Sequence, residues 1–224
     1  MQRTYLFLIL ILFSFSSHLF SQELESEEVR YFERKALVDS LFADSKGIFE
    51  NLQNAFFTVR RDLFIDKNYS SLAYNNIPIP SKGGLIHPSP EMIATILKTA
   101  SVKSLDKVLI IGRNTNYIAQ IVSILSKNLY VIDPGITALS QMNYQLKTDF
   151  SYYGWLEEGP FDVIILFGAV EKVPQSLFSQ IKVNGKMIYP FTFNKGNQIL
   201  TLVSRYSNSF DIRSIGESYI HNLQ

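Results

Sequence analysis

The sequence predicts an α/β domain, a mostly parallel sheet with helices on both faces. Three observations predict it. Short runs of β-branched and aromatic residues recur through the second half of the chain. Stretches of helical length and period separate them. The first four runs end at a glycine, an aspartate or a proline, where a strand gives way to a turn. The chain has 224 residues, 46% of them hydrophobic and 18% charged. That suits a single core, with too much apolar content for disorder.

In chain order, Met1-Gln2-Arg3 precedes an apolar run from Tyr5 to about Phe15, then small residues to Ser21. One positive charge, a short apolar stretch and small residues are the parts of a secretory signal peptide, assigned here to 1–21. The run is short for a membrane span. An uncleaved anchor or a buried helix are the alternatives, and only the anchor brings the protein to a membrane. Cleavage implies export, to a periplasm or to the outside. From Glu23 acidic residues precede Val29, Phe32, Leu37, Leu41 and Phe42, which predicts an amphipathic helix to about Ala43. It opens an N-terminal helical extension, 22–60, ahead of an α/β domain at 61–224.

The strand runs are Val108–Ile111, Leu129–Ile132, Phe161–Phe167, Lys186–Tyr189 and Ile199–Val203. Helices are predicted at Pro90–Ala100, Tyr117–Ser126, Thr137–Lys147 and Pro174–Ile181. Pro90 and Pro174 fit first turns. A short turn at Lys195-Gly196-Asn197 makes the last strand pair a candidate for antiparallel pairing. In such a sheet a ligand lies beyond the carboxyl ends of the strands, at the topological switch. That directs attention to Gly112–Tyr117, Asp133 and Gly168-Ala169.

Composition excludes several functions. Lys+Arg 21 against Asp+Glu 20 leaves +1, which argues against nucleic acid as a partner. The absence of cysteine removes disulfides, thiol catalysis, Cys–zinc sites and iron–sulfur clusters. Three histidines are too few for a histidine-rich metal centre, so no metal is expected.

Several segments carry a resemblance, in order: Ser45–Ile48, Val59-Arg-Arg-Asp-Leu-Phe-Ile65, Ala73-Tyr-Asn-Asn-Ile-Pro-Ile79, Val108-Leu-Ile-Ile-Gly-Arg-Asn-Thr-Asn-Tyr117, Gly159-Pro-Phe-Asp-Val-Ile-Ile165 and Val173–Pro190. From about Ala36 to Val203 the chain resembles the protein-L-isoaspartate O-methyltransferase family. The resemblance implies a class I S-adenosylmethionine-dependent methyltransferase-like, Rossmann-like fold. It also implies S-adenosylmethionine as cofactor and protein repair as the activity, on a polypeptide segment containing isoaspartate. Carried over position by position, it implies cofactor contacts at Gly112, Asn114, Asn116, Tyr117, Asp133 and Asp149.

The chain departs from the family pattern at four places. An acid two residues before Gly112 is Ile110, and two loop glycines are Asn114 and Asn116. Asparagine is the side chain that best tolerates a left-handed backbone, so the turn survives. Its Cβ nevertheless occupies space that glycine leaves to a cofactor. Either the loop keeps its shape and loses its cofactor, or a pocket is rebuilt around the amides. Asp133 remains, as a ribose acceptor, as the N-cap ahead of Pro134, or as both. The family's hydroxyl-bearing Gly-Gln-Thr-Ile-Ser segment maps onto Lys82–Pro90, with Leu85 or Ile86 for the Thr and His87 or Pro88 for the Ser. His87 and Ser89 are the nearest catalytic candidates, and packing is the alternative for a lone His. Between Asp133 and Trp155 the chain is roughly ten residues short by ordinary βαβ lengths. The family's third strand and most of its Gly-Asp-Gly segment are then missing, with Asp149 as a remnant. Tyr152, Tyr153 and Trp155 either stack on a ring or form an aromatic lid. The expectation is an exported family protein with a degenerate cofactor site and little or no methyltransferase activity, a pseudoenzyme. The alternative is an active S-adenosylmethionine-dependent carboxyl O-methyltransferase.

Overall fold

The computed structural model describes residues 27–45, 47–136, 143–149, 152–194 and 196–223. The signal segment at 1–21 and the start of the acidic helix lie outside them. Among the described residues no helix is long and apolar enough to cross a membrane.

Five α-helices are described: α1 (27–41), α2 (Glu50–Thr58), α3 (Pro90–Ala100), α4 (Asn116–Leu125) and α5 (Gln175–Gln180). The strands are β1 (Ile79–Pro80), β2 (Ile86–His87), β3 (Lys107–Gly112), β4 (Asn128–Ile132), β5 (Gln145–Lys147), β6 (Phe161–Phe167), β7 (Ile181–Phe193), β8 (Asn197–Arg205) and β9 (Phe210–Glu217). β1 and β2 form a separate antiparallel pair. The other seven make one sheet in the order β5-β4-β3-β6-β7-β8-β9. The strands from β5 to β7 are parallel, and β8 and β9 are antiparallel additions. The chain leaves β3 toward β4 and β5, then returns to β6 on the other side of β3. The topological switch therefore lies between β3 and β6.

Period-two alternation sends β3 into two cores. Val108 and Ile110 pack with Phe56, Leu97 and Ile118 in the layer under α1–α4. Leu109 and Ile111 pack with Leu177 of α5 and with Leu223 in the opposite layer. Val38, Phe42 and Leu52, within the 22–60 extension, belong to the first of these cores. The local signals behave as their chemistry requires. Ser89 caps α3 by accepting the Met92 N–H at 3.2 Å, and Pro90 follows at the first helical position. Ser101 closes α3 in the left-handed region, at φ 47°.

Three expectations need correction. The helix expected over Thr137–Lys147 is not formed at its end: Gln145–Lys147 is β5, while 137–142 lie outside the described residues. β5 pairs in parallel with Tyr130–Ile132, so the sheet has the third strand that the short Asp133–Trp155 segment seemed to lack. A free sheet edge offered to a short polar segment outweighs its weak helical preference. The strand expected to stop at Pro190 runs on to Phe193. Proline is tolerated there because the β6 pairing has ended at Ile188, and the Pro190 carbonyl accepts the Val170 N–H at 3.0 Å.

Beyond β9 the C-terminal tail turns back across the sheet. The Gln198 side chain brackets it, accepting the Ile220 N–H at 3.0 Å and donating to the Ile220 carbonyl at 2.7 Å. The Ala169 N–H then donates to the His221 carbonyl at 2.8 Å, and the Leu223 N–H donates to the Ala169 carbonyl at 2.9 Å. Gly168 permits this crossing: a Cβ there would lie 2.9 Å from the Leu223 Cα. The tail thus reaches the carboxyl end of β6, beside the switch.

Candidate functional site

The switch is built on two close approaches. Gly112 ends β3, and a Cβ at that position would sit 2.6 Å from the Phe167 carbonyl oxygen and 2.9 Å from Thr115 Cγ2. Only glycine lets β3 and β6 end side by side while the chain turns into α4. Asn114 makes that turn at φ 60°. Asn116 is half-buried and is the first residue of α4, outside the left-handed region. The two asparagines in the loop therefore have different conformational jobs.

Asp133, at the end of β4, is fully buried. Its Oδ2 accepts the Thr115 N–H and the Thr115 hydroxyl, both at 2.8 Å, and its Oδ1 accepts the Gly135 N–H at 2.8 Å. The carboxylate thus clamps the loop after β3 to the end of β4. A carboxylate offers about four acceptor positions, so one on Oδ1 is left for a ligand hydroxyl. Asp133 serves the loop ahead of α4 as well as its own turn, and the helix it was expected to cap begins at 137, outside the described residues.

The β1–β2 pair covers this loop. The Asn114 amide donates to the Ile86 carbonyl at 3.3 Å and lies 3.2 Å from His87 Nδ1. Arg61, 1% exposed, holds the cover from below, donating to the Ala73 carbonyl at 2.7 Å and the Pro88 carbonyl at 2.9 Å. Burial lowers its pKa to about 10. His87 is buried, and burial, helped by the nearby Arg61 and His221, lowers its pKa from 6.5 to about 4. It is a neutral imidazole at physiological pH, able to exchange a proton or accept a hydrogen bond but not to supply charge.

His221, from the tail, closes the opposite side. Its ring meets Phe167 edge-on at 6.4 Å and lies beside the backbone of Ile86 and Arg113, with both ring nitrogens shielded from solvent. Burial lowers its pKa too. Residues Gly84, Ile86, Phe193, Gln198, Tyr219 and His221 line a cavity of about 540 Å³ next to this cover.

The remaining candidates stand elsewhere. Ser89 spends its hydroxyl on the α3 cap. Tyr117 is buried under α4 against Phe56 and Phe64, with ring centroids at 6.4 and 5.6 Å. Asp149 is exposed, two positions beyond β5. Trp155 packs edge-on against Tyr130 at 5.5 Å, with Lys147 Nζ 5.0 Å from its ring centre. Tyr152 and Tyr153 line a second cavity, of about 680 Å³, with Lys172 and Pro174. Among the described residues no cluster of three or more His, Cys, Asp or Glu could hold a metal ion. Thr115, Arg61 and His221 are not among the candidates that the sequence singles out. Thr115 carried a legible signal, a Thr between a strand glycine and a helix. Arg61 and His221 act across long sequence separations and carried none.

The geometry generates two predictions. At position 114 glycine is expected to be more stable than alanine by about 1 kcal/mol, because alanine strains at positive φ. At position 116, the first residue of α4 and outside the left-handed region, the order should reverse, with alanine ahead by less than the roughly 0.5–1 kcal/mol of a helix interior. Urea unfolding of the four single variants reads both, and the same order at both sites would refute the assigned conformations. The second concerns pH. The folded pKa of His87 lies below its unfolded value, so the unfolded chain takes up a proton that the fold refuses. Stability should therefore fall as pH drops from about 6.5 toward about 4, and His87→Gln should make that loss shallower between pH 6.5 and 5, leaving the part that His221 contributes in the same direction. Parallel melting curves across the window would expose an imidazole free to protonate in place.

With this geometry in hand, comparison with known proteins is specific. Residues 32–220 match the family described as protein-L-isoaspartate(D-aspartate) O-methyltransferase. A protein-L-isoaspartate O-methyltransferase from Brucella anthropi is 30% identical over 173 residues, covering 72% of this chain and 80% of its own. One from Petrotoga mobilis is 32% identical over 167 residues, covering 68% of this chain and 78% of its own. The fold superposes with a TM-score of 0.70 and 19% identity on a putative protein-L-isoaspartate O-methyltransferase from Plasmodium falciparum, solved in complex with S-adenosyl-L-homocysteine, covering 85% of this chain and 98% of that one. By the span of that match and the switch-point architecture beneath it, the chain belongs to the protein-L-isoaspartate(D-aspartate) O-methyltransferase family.

Proposed function

We propose that the chain is an S-adenosylmethionine-dependent carboxyl O-methyltransferase acting on isoaspartyl residues of polypeptides, in protein repair. One observation carries the reading beyond family membership. The turn after β3 has a left-handed residue at Asn114, immediately before Thr115, which Asp133 holds at the start of α4. The residues fit the nucleoside part of the cofactor at two points, a tight turn at Gly112–Thr115 and a free acceptor position on Asp133 Oδ1. Asp133 would hold the ribose, and Asn114 and Asn116 would border it. When bound, S-adenosylmethionine supplies an electrophilic methyl group to a carboxylate oxygen. The chain's own contribution is positional. Gly112 and Asp133 fix the loop, Arg61 fixes the β1–β2 cover, and His87 and His221 keep the neighbouring wall dry and uncharged. The acceptor carboxylate would enter through the cavity between β2 and the tail.

A second reading, a scaffold without methyl transfer, draws on a specific observation. Asp133 already takes three donors, and the Asn114 amide is engaged by the β1–β2 cover. Export, which we also propose from the 1–21 segment, would add to it by removing the chain from the cytoplasm where the cofactor is made.

Calorimetric titration with S-adenosylmethionine and S-adenosylhomocysteine, paired with radiolabelled methyl transfer to an isoaspartyl peptide, separates the two. Binding tighter than about 100 μM, roughly 5.5 kcal/mol, is expected, together with methyl incorporation that Asp133→Ala abolishes. Absence of both binding and incorporation would leave only the scaffold. For export, N-terminal sequencing of the native protein should place the mature start between Ser17 and Glu25, and a chain beginning at Met1 would contradict it.

A further inference from the structure

Among the described residues the outermost strand, β9, is paired on one side only, and all eight of its residues are exposed, Phe210 at 43% and Ile212 at 56%. We propose that β9 is a homodimerisation edge, on which a second copy adds its own β9 antiparallel with Ile212 on the two-fold axis.

The hairpin before it sets which backbone groups point outward. The Tyr206 N–H donates to the Ser209 carbonyl at 2.8 Å, making these two a hydrogen-bonded pair. Antiparallel ladders alternate such pairs with non-bonded ones. With Asp211 opposite Ser204 and Arg213 opposite Leu202, those two residues bond inward to β8. The N–H and C=O groups of Phe210, Ile212 and Ser214 are left facing solvent. The bulge in this strand pair falls between Leu200 and Thr201, beyond Ser214, so the stretch from Phe210 to Ser214 is regular.

A symmetric partner must set outward-facing residues against outward-facing residues. Near the middle of the strand this allows a two-fold axis at 211, 212 or 213. An axis at 211 puts Asp211 against the partner's Asp211, and one at 213 puts Arg213 against the partner's Arg213. An axis at 212 puts Asp211 against the partner's Arg213, twice, in the non-bonded positions where side chains come closest. Ile212 then faces the partner's Ile212, and Phe210 faces the partner's Ser214. Charges on an edge strand ordinarily guard it against indiscriminate pairing. Here the guard rejects two registers and admits one. Within the chain Arg213 Nε stands 3.7 Å from Asp211 Oδ2, both side chains well exposed, so the exchange costs only a weak pair.

Sedimentation equilibrium of the purified protein across a wide concentration range tests this. A reversible monomer–dimer equilibrium is expected. Ile212→Pro removes one outward N–H without touching the β8 ladder, and should raise the dimer dissociation constant at least about tenfold, equivalent to 1.4 kcal/mol. Asp211→Arg and Arg213→Asp should each weaken the dimer, and the double exchange should restore it. Far-ultraviolet circular dichroism and the melting temperature of the dilute monomer check that each variant folds. A strictly monomeric wild-type chain overturns the proposal, as does a dimer indifferent to Ile212→Pro, or a double exchange no better than the singles.

Discussion

Much of the carboxyl edge of the sheet hangs on one residue, Asp133. Its side chain ties down Thr115 by two hydrogen bonds and Gly135 by a third. Its backbone N–H donates to the Lys147 carbonyl at 3.0 Å, which ties down β5. One position at the end of β4 therefore sets the loop after β3, the start of α4, its own turn and the edge strand. Among the described residues this carboxylate has no ion-pair partner, so hydrogen bonds alone compensate its burial. A buried carboxylate with a missing donor is expensive, which couples the three donors into a unit. Gly112 supplies the complementary constraint, because the loop can reach Asp133 only if β3 closes against Phe167 without a Cβ between them.

That economy bears on cofactor binding. In the sequence, Asp133 has a structural and a functional reading that look compatible. The structure shows their common limit, since three of about four acceptor positions are already used. A ribose would share the carboxylate with the loop rather than own it. The loop it meets is held from outside as well, by Asn114 reaching to Ile86. Binding then depends on whether the β1–β2 cover and the loop can keep their bond while a ligand enters beside it.

The buried centre of the fold was legible in the sequence. β3, β4, β6 and α3 stand where hydrophobic period and caps put them, because burial on both faces writes itself into the residues. The edges were not. β5 is Gln-Leu-Lys, three residues with no run to notice, and it exists because β4 had an open side. β9 alternates Phe, Asp, Ile and Arg on a strand with neither face buried, so no core imposes a pattern. The resemblance supplied candidate cofactor positions, yet the contacts that close the candidate site, Arg61 to Ala73 and Pro88 and His221 against Phe167, join residues far apart in sequence. Periodicity cannot see such contacts.

Ile110 shows why a departure read from sequence needs the fold before it means anything. The resemblance places an acid there, and its loss suggests a missing acceptor for the cofactor. In the structure Ile110 is fully buried and belongs to the layer with Phe56, Tyr117 and Ile118, on the helix side of β3. A carboxylate in that layer would face apolar side chains and pay the full cost of desolvation. Restoring the acid alone would therefore unsettle the core before it helped a ligand. Isoleucine at this position is understood with its neighbours. Tyr117, Phe56 and Phe64 fill the space beneath the loop with rings, and isoleucine completes that packing. Polar contacts hold the loop from its other side, Asp133 through Thr115 and Asn114 through Ile86. The loop and the apolar layer beneath it form one consistent arrangement, packed by rings below and held by hydrogen bonds on the other side.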